Sequence, residues 1–179
     1  MKITEHTFAL NGKLSERKKT SEIILHCSAT AEGKDYTVDS IDKWHKAREF
    51  TCIGYQFVIY RDGTVHRGRK ESAVGAHCTG HNAVSIGICY IGGCDAQTGK
   101  GKDTRTPQQK EAMYQLVSEL MQKYNIPAAG IHGHREFANK SCPCFTADAF
   151  RKELSAWKAA QKKAKEHKAV DCECPCHEE

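Results

Sequence analysis

Residues Gly130–Phe145 hold the side chains of this chain that are best suited to metal chemistry, among them His132, His134, Lys140 and Cys142. Imidazole and thiolate groups are preferred donors for Zn²⁺, and a His and a Cys eight residues apart can reach one ion across a loop. Two donors leave a catalytic zinc site incomplete, so a third would have to come from elsewhere in the chain. A plainer interpretation stays open, because His-x-His on a strand and Cys-Pro-Cys in a turn often bind no metal.

The elements around this segment indicate how its side chains could be positioned. The apolar run from Ile126 to Ile131 predicts a strand that delivers His132 and His134 to an edge, with both side chains on one face. A second buried strand is predicted at Glu22–His26, which is rich in β-branched residues. His26 closes that strand where it meets solvent, which is a usual place for a site residue.

The middle of the chain predicts a helix followed by a hairpin. The helix begins near Val38, with Ile41 and Trp44 on its inner face and His45 partly exposed. A strand at Ile53–Tyr60 then turns at Asp-Gly and returns. Tyr55 follows a glycine, so its hydroxyl could lean over a cleft, although a core tyrosine fits the same pattern.

The remaining signals predict a central strand and two more helices. Ser85–Ile91 is the strongest strand signal, and Thr106 caps a helix with Pro and Gln in its first turn. Thr146 begins a last helix that extends into Lys/Ala-rich sequence. This order favours the α/β class, with a mixed central β-sheet flanked by helices. We expect a mobile N-terminal arm at 1–20, one domain at 21–157, and a basic helix with a Cys-rich tail at 158–179.

Composition narrows the functional classes. The formal net charge of +5 fits an anionic partner such as nucleic acid or cell wall, and it equally fits a solvated basic helix. The basic C-terminal tail has no aromatic residues interleaved with its lysines, so no nucleic-acid partner is expected. No run is long enough for a transmembrane segment, and no signal-peptide pattern opens the chain. With ten Cys, we therefore expect reduced thiols in a cytoplasmic monomer that is released when the membrane is opened.

Several segments occur together, in order, between about residues 23 and 157. They are Ile24–Thr30, Ile41–His45, Ile53–Phe57, Arg61–Val65, Ala73–His77, Ser85–Ile88, and His134 through Lys140 to Pro143. In this combination the chain resembles the zinc-dependent N-acetylmuramoyl-L-alanine amidases of the phage-lysozyme type (type 2 amidases), which share the peptidoglycan recognition protein fold.

The resemblance implies one Zn²⁺ per chain, bound by His26, His134 and Cys142, with an open position for water. It also implies catalytic roles for Tyr55 and Lys140.

Other positions near this motif set are assigned less directly. His77 is a candidate substrate-binding residue, and His132 does not fall on a ligand position. Gln56 stands where relatives commonly have His, and on an alternating strand it should face away from Tyr55. Cys144 could compete with Cys142 for the metal, although we do not expect it to.

The expected reaction is hydrolysis of the amide bond between N-acetylmuramoyl and L-alanine in peptidoglycan, as in an endolysin. The chain lacks a His-Glu-x-x-His motif, which argues against a zincin protease, and Glu136 is interpreted as a loop salt-bridge partner. Two alternatives remain, a non-catalytic peptidoglycan-binding module and a regulatory protein-binding role. The presence of Cys142 favours the enzyme.

The end of the chain falls outside the resemblance. Three Cys and one His occur there within six positions, and they could bind a second metal or form a flexible, oxidation-prone tail: Cys172, Cys174, Cys176 and His177.

Overall fold

A six-stranded mixed β-sheet forms the centre of the computed structural model, which describes the backbone of residues 1–170 and the side chains through residue 167. Its strands, in spatial order, are β1 (Ile3–Thr4), β5 (Val65–Arg67), β4 (Phe57–Ile59), β6 (Ser85–Tyr90), β2 (Glu22–Cys27) and β8 (Ile131–Gly133). Only the β4–β5 hairpin is antiparallel among these neighbours. Strands β3 (Thr30–Ala31) and β7 (Gly93–Cys94) form a separate parallel pair.

Three α-helices flank the sheet: α1 (Val38–Lys46), α2 (Pro107–Tyr124) and α3 (Ala147–Val170). Short 3-10 turns at Ala128–Gly130 and His134–Glu136 lie on either side of β8. This arrangement confirms the predicted α/β class, and β6 lies inside the sheet as its sequence indicated.

The two faces of the sheet have different partners because alternate residues of a strand point to opposite sides. Leu25 pairs with Ile88, and Ile88 with Phe57, and these side chains join the core cluster that contains residues of α2 and α3. The next residues along β2 and β6, His26 and Cys89, point the other way, towards the side where α1 packs. A polar residue can therefore follow a core leucine directly without entering the main core.

Helix α1 begins at Val38, as the sequence indicated. Thr37 is the N-cap, and it forms a capping box with Ser40. The expectation that Trp44 lies on the inner face was wrong, since its side chain is 40% exposed. The buried stripe instead includes Ile41 and His45, which are one helical turn apart and lie on the same face.

Helix α2 follows its sequence signals closely. Thr106 caps it in a box with Gln109, and Pro107 occupies the first turn. Gln109 is fully buried, and its amide nitrogen donates to the carbonyl oxygens of Ile59 and Ile91. The capping residue thus also connects the helix to the ends of β4 and β6.

Residues 1–20, which we expected to form a mobile arm, instead pack along the domain. Ile3 and Thr4 pair with β5 as the edge strand β1. The Arg17 guanidinium donates to the carbonyl oxygens of Glu71 at 2.7 Å and Ala73 at 3.0 Å. Backbone pairing and contacts to carbonyl oxygens require no apolar periodicity, so the sequence pattern did not indicate them.

Helix α3 continues through the predicted boundary after Trp157 and is described as far as Val170. The predicted cap is present, since the backbone N–H of Ala149 donates to the Thr146 hydroxyl. The Cys-rich tail with Cys172, Cys174, Cys176 and His177 lies outside the described residues.

Candidate active site

Two adjacent parallel strands bring the first two metal donors together. Leu25 of β2 pairs with Gly133 of β8, so the next residues, His26 and His134, lie side by side. Their ring centroids are 4.6 Å apart. Strand β8 ends at Gly133, and His134 begins a 3-10 turn, so the expectation of His132 and His134 on one strand was wrong.

The third donor, Cys142, comes from the loop that follows. Its Sγ lies 3.8 Å from His26 Nδ1, and donor atoms of His26, His134 and Cys142 all lie within 4.8 Å of one another. These are the three residues that the sequence resemblance assigned as ligands.

His132 lies outside this cluster. Its Nδ1 is 2.8 Å from a carboxylate oxygen of Glu136, whose other oxygen accepts from the Gly133 N–H. Glu136 is thus a hydrogen-bonding partner within its own loop.

The protonation states of the cluster suit a divalent cation. Burial, followed by the charges of neighbouring histidines, holds the pKa of His26 well below its usual value, and burial also lowers the pKa of His134. A hydrogen bond from the Cys27 thiol lowers the pKa of Cys142, and the Cys27 backbone N–H lies 3.3 Å from the same sulfur. Two neutral imidazoles and a thiolate-favouring cysteine fit Zn²⁺, and three ligands leave a coordination position open.

Cys144 is placed away from these donors. Its Sγ donates to the carbonyl oxygen of Gly93 at 3.1 Å and lies 3.9 Å from the sulfur of Cys27. It does not belong to the group of donors that surrounds His26.

A cleft of about 230 Å³ opens beside the cluster, and its walls include Tyr55, His134 and Lys140. The Tyr55 ring centroid is 5.0 Å from that of His26. Burial raises the pKa of Tyr55 well above its usual value, so the phenol stays protonated and can donate a hydrogen bond. Lys140 is exposed on the same wall.

Tyr55 lies before β4, which is shorter than the predicted strand from Ile53 to Tyr60. The Arg69 side chain explains the difference, because it donates to the carbonyl oxygen of Ile53. The backbone N–H of Arg69 also donates to the carbonyl oxygen of Tyr55. Residues 53–55 therefore bond to Arg69 and do not continue the regular strand pairing of β4. Gln56 is buried away from the cleft, as expected, and bonds Ala73 and the Gly87 N–H.

His77 also lines the cleft but is only 8% exposed. Its Nδ1 lies 3.1 Å from Nε2 of His26, and burial lowers the pKa of His77 to about 3. Most of its surface is therefore committed to contacts inside the protein.

The sequence interpretation missed several further wall residues, among them His45, Arg48 and Phe50. His45 was expected to be partly exposed, but it is buried, and its Nδ1 accepts from the Gly54 N–H at 2.9 Å. The available signal was the four-residue spacing between Ile41 and His45 on α1.

A larger cavity of about 570 Å³ lies between the N-terminal segment and the domain, lined by Phe8 and Arg67 among others. None of the three donors His26, His134 and Cys142 lines it, so size alone does not identify the reactive site. Within the described residues, no helix is both long and apolar enough to cross a membrane.

Comparison with known proteins gives consistent matches over most of the chain. Residues 16–145 match the family described as N-acetylmuramoyl-L-alanine amidase. The chain is 42% identical to an endolysin of Enterobacteria phage K11 over 133 residues, which cover 74% of this chain and 86% of the relative. The endolysin of Escherichia phage T7 is 41% identical over the same shares of both chains.

A solved structure gives the same result. The N-acetylmuramoyl-L-alanine amidase LysC from Clostridium intestinale superposes with a TM-score of 0.74 at 32% identity, covering 87% of this chain and 98% of that one.

Proposed function

The chain belongs to the N-acetylmuramoyl-L-alanine amidase family, and on that premise we propose that it cleaves peptidoglycan between the lactoyl group of N-acetylmuramic acid and L-alanine. One observation carries the proposal: the donors of His26, His134 and Cys142 converge beside a cleft that also contains Tyr55 and Lys140. The endolysin relatives support a role in cell-wall lysis.

Amide hydrolysis needs a nucleophile at neutral pH, stabilisation of negative charge on the carbonyl oxygen, and a proton for the departing amine. We propose that His26, His134 and Cys142 hold Zn²⁺, which when bound lowers the pKa of a water ligand to about 7 and acts as a Lewis acid. The thiolate would be Cys142, because the contacts with Cys27 favour its ionised form.

The protein's own side chains complete this chemistry. Lys140 lies on the cleft wall, so its ammonium can stabilise the charge that develops on the carbonyl oxygen. Tyr55 is held as a neutral phenol, so it can donate a hydrogen bond that orients the reacting groups.

The cleft also provides contacts for the rest of the substrate. Arg48 adds a second positive charge to the wall, which suits the carboxylates of a stem peptide. The exposed edge of His77 is proposed to contact the substrate from the same wall.

Digestion of purified peptidoglycan tests the proposal. The expected products are muramic acid residues free of peptide and new N-terminal L-alanine, detected by mass spectrometry and amine labelling. Binding to the wall without release of new N-termini would support a recognition module instead.

Variants separate the roles of the residues. Cys142→Ala should lose both zinc and activity, as should His26→Ala, whereas Tyr55→Phe and Lys140→Ala should keep zinc and lose most activity. Cys144→Ala is the matched control, since its sulfur lies outside the donor group. A Cys142→Ala protein that still holds one zinc per chain at this site would overturn the ligand assignment.

A further inference from the structure

A chain of buried polar groups runs from the metal donor His26 into the protein. Nε2 of His26 lies 3.1 Å from Nδ1 of His77, and Nε2 of His77 lies 3.5 Å from the Ser85 hydroxyl. That hydroxyl lies 2.7 Å from the carbonyl oxygen of His81. His26 and Ser85 are fully buried, so water does not compete for these groups.

The direction of each hydrogen bond in this chain follows from its far end. A carbonyl oxygen only accepts, so the Ser85 hydroxyl donates its single proton to His81. Its oxygen is then left to accept from His77. This contact places the proton of neutral His77 on Nε2.

The tautomer of His77 determines that of His26. With its proton on Nε2, His77 presents a bare lone pair at Nδ1, which can only accept. Nε2 of His26 must therefore carry a proton and donate it across the 3.1 Å contact. The lone pair of His26 is left on Nδ1, the nitrogen that faces Cys142 Sγ at 3.8 Å.

Two glycines hold the His77 ring in place for this contact. A Cβ on Gly87 would lie 2.6 Å from the ring Cγ, and a Cβ on Gly75 would lie 2.4 Å from its Cδ2. Neither glycine has a positive φ, so backbone conformation does not demand glycine at these positions. Their missing side chains form the slot that admits the imidazole, and the slot fixes the orientation of the ring.

We propose that His77, oriented by Ser85, is a positioning residue that fixes the tautomer of His26 so that Nδ1 is its metal-binding atom. The inference rests on the proposed function, because it assumes a metal at His26, His134 and Cys142. Groups that hydrogen-bond the second nitrogen of a metal-bound histidine orient the ring and increase its basicity, and their loss typically lowers metal affinity about 10- to 100-fold.

A matched pair of substitutions tests the role of the acceptor. Asn and Leu have nearly the same size and shape, but only Asn offers an oxygen near the position of His77 Nδ1. In a chelator competition assay on the full chain, His77→Leu should weaken zinc binding by about 10- to 100-fold, while His77→Asn should retain most of the wild-type affinity. Equal zinc affinity of the two variants would overturn the proposal.

A second measurement does not depend on how well the variants fold. Long-range ¹H–¹⁵N NMR of the metal-free wild-type protein should show the proton of His26 on Nε2, and a proton on Nδ1 would overturn the proposal. Failure of the wild-type protein to bind zinc would instead refute the proposed function. The two inferences can therefore fail separately.

Discussion

Arg105 offers the sharpest test of how the loop between β7 and α2 is held. Its side chain is completely buried, and it donates to Asp103 through Nε at 2.9 Å and through Nη2 at 2.8 Å. Nη2 also lies 3.3 Å from Glu153 of α3, and the guanidinium lies 3.6 Å from the ring centroid of Phe145. One side chain thus connects the loop, α3 and the segment that follows the Cys142 ligand.

The substitution Arg105→Met keeps the length of the side chain and removes its charge. Removing one partner of a buried ion pair costs about 3–5 kcal/mol, and a desolvated cation–π contact adds about 2 kcal/mol. The carboxylate side chains of Asp103 and Glu153 are 29% and 35% exposed, so water can partly solvate them after the arginine is gone. We therefore expect less than the sum of these two costs, about 3 kcal/mol in the free energy of unfolding.

Urea denaturation of the metal-free protein measures this loss, with an unchanged denaturant slope as the sign of a two-state comparison. Arg61→Met is the matched control, because Arg61 pairs with Asp35, whose side chain is 82% exposed. Surface pairs of this kind contribute at most about 1 kcal/mol. Equal losses for the two substitutions would refute the argument that burial makes the Arg105 contacts strong.

Three further predictions follow from single contacts. Burial lowers the pKa of His45 to about 4, so the folded state favours the neutral form. The resulting stability is fully present above pH 6.5, and at most roughly 3 kcal/mol of it is lost as the pH falls towards 4. His45→Asn keeps a side-chain acceptor for the backbone N–H but has no group that titrates. In urea denaturation, the stability of this variant should fall less steeply over that pH range, and an equally steep fall would count against the assignment. Cys144→Ser should keep one zinc per chain by atomic absorption, since that thiol bonds a backbone carbonyl instead, and zinc loss would contradict this. Gly87→Ala should destabilise by about 1–3 kcal/mol in urea because its Cβ would meet the His77 ring, and unchanged stability would show that the ring can move.

The elements that position the site could largely be predicted from local sequence. β-Branched runs predicted β2 and β6, and the Thr-Pro-x-Gln signal predicted α2 with its cap. The residue types of the donor segment suggested metal chemistry, but they supplied only two donors. The adjacency of His26 and His134 depends on the pairing of β2 with β8, which no local pattern specifies.

The failures have physical causes of their own. Trp44 was assigned to the inner face of α1 by its helical spacing from Ile41, yet two of the buried positions are occupied by the polar residues Asp42 and His45. Both make hydrogen bonds to backbone N–H groups of residues 53 and 54, which compensates their burial. The contact between His77 and His26 could not be predicted for another reason, because it needs the space that Gly75 and Gly87 leave for the His77 ring.

The precision of the donor cluster has its origin in the core on the opposite face of the sheet. Strand β2 lies between β6 and β8, so His26 cannot shift without moving Leu25, which is fully buried against α2 and α3. Even the loop donor depends on these strands, since the Cys27 N–H lies 3.3 Å from the Cys142 sulfur and the Tyr90 hydroxyl donates to the Pro143 carbonyl at 2.9 Å. A site whose donors are fixed by packed strands holds its geometry more closely than one built on loops alone. Core packing on the helical face is therefore part of what positions the metal-binding residues, although none of those apolar side chains reaches the cleft.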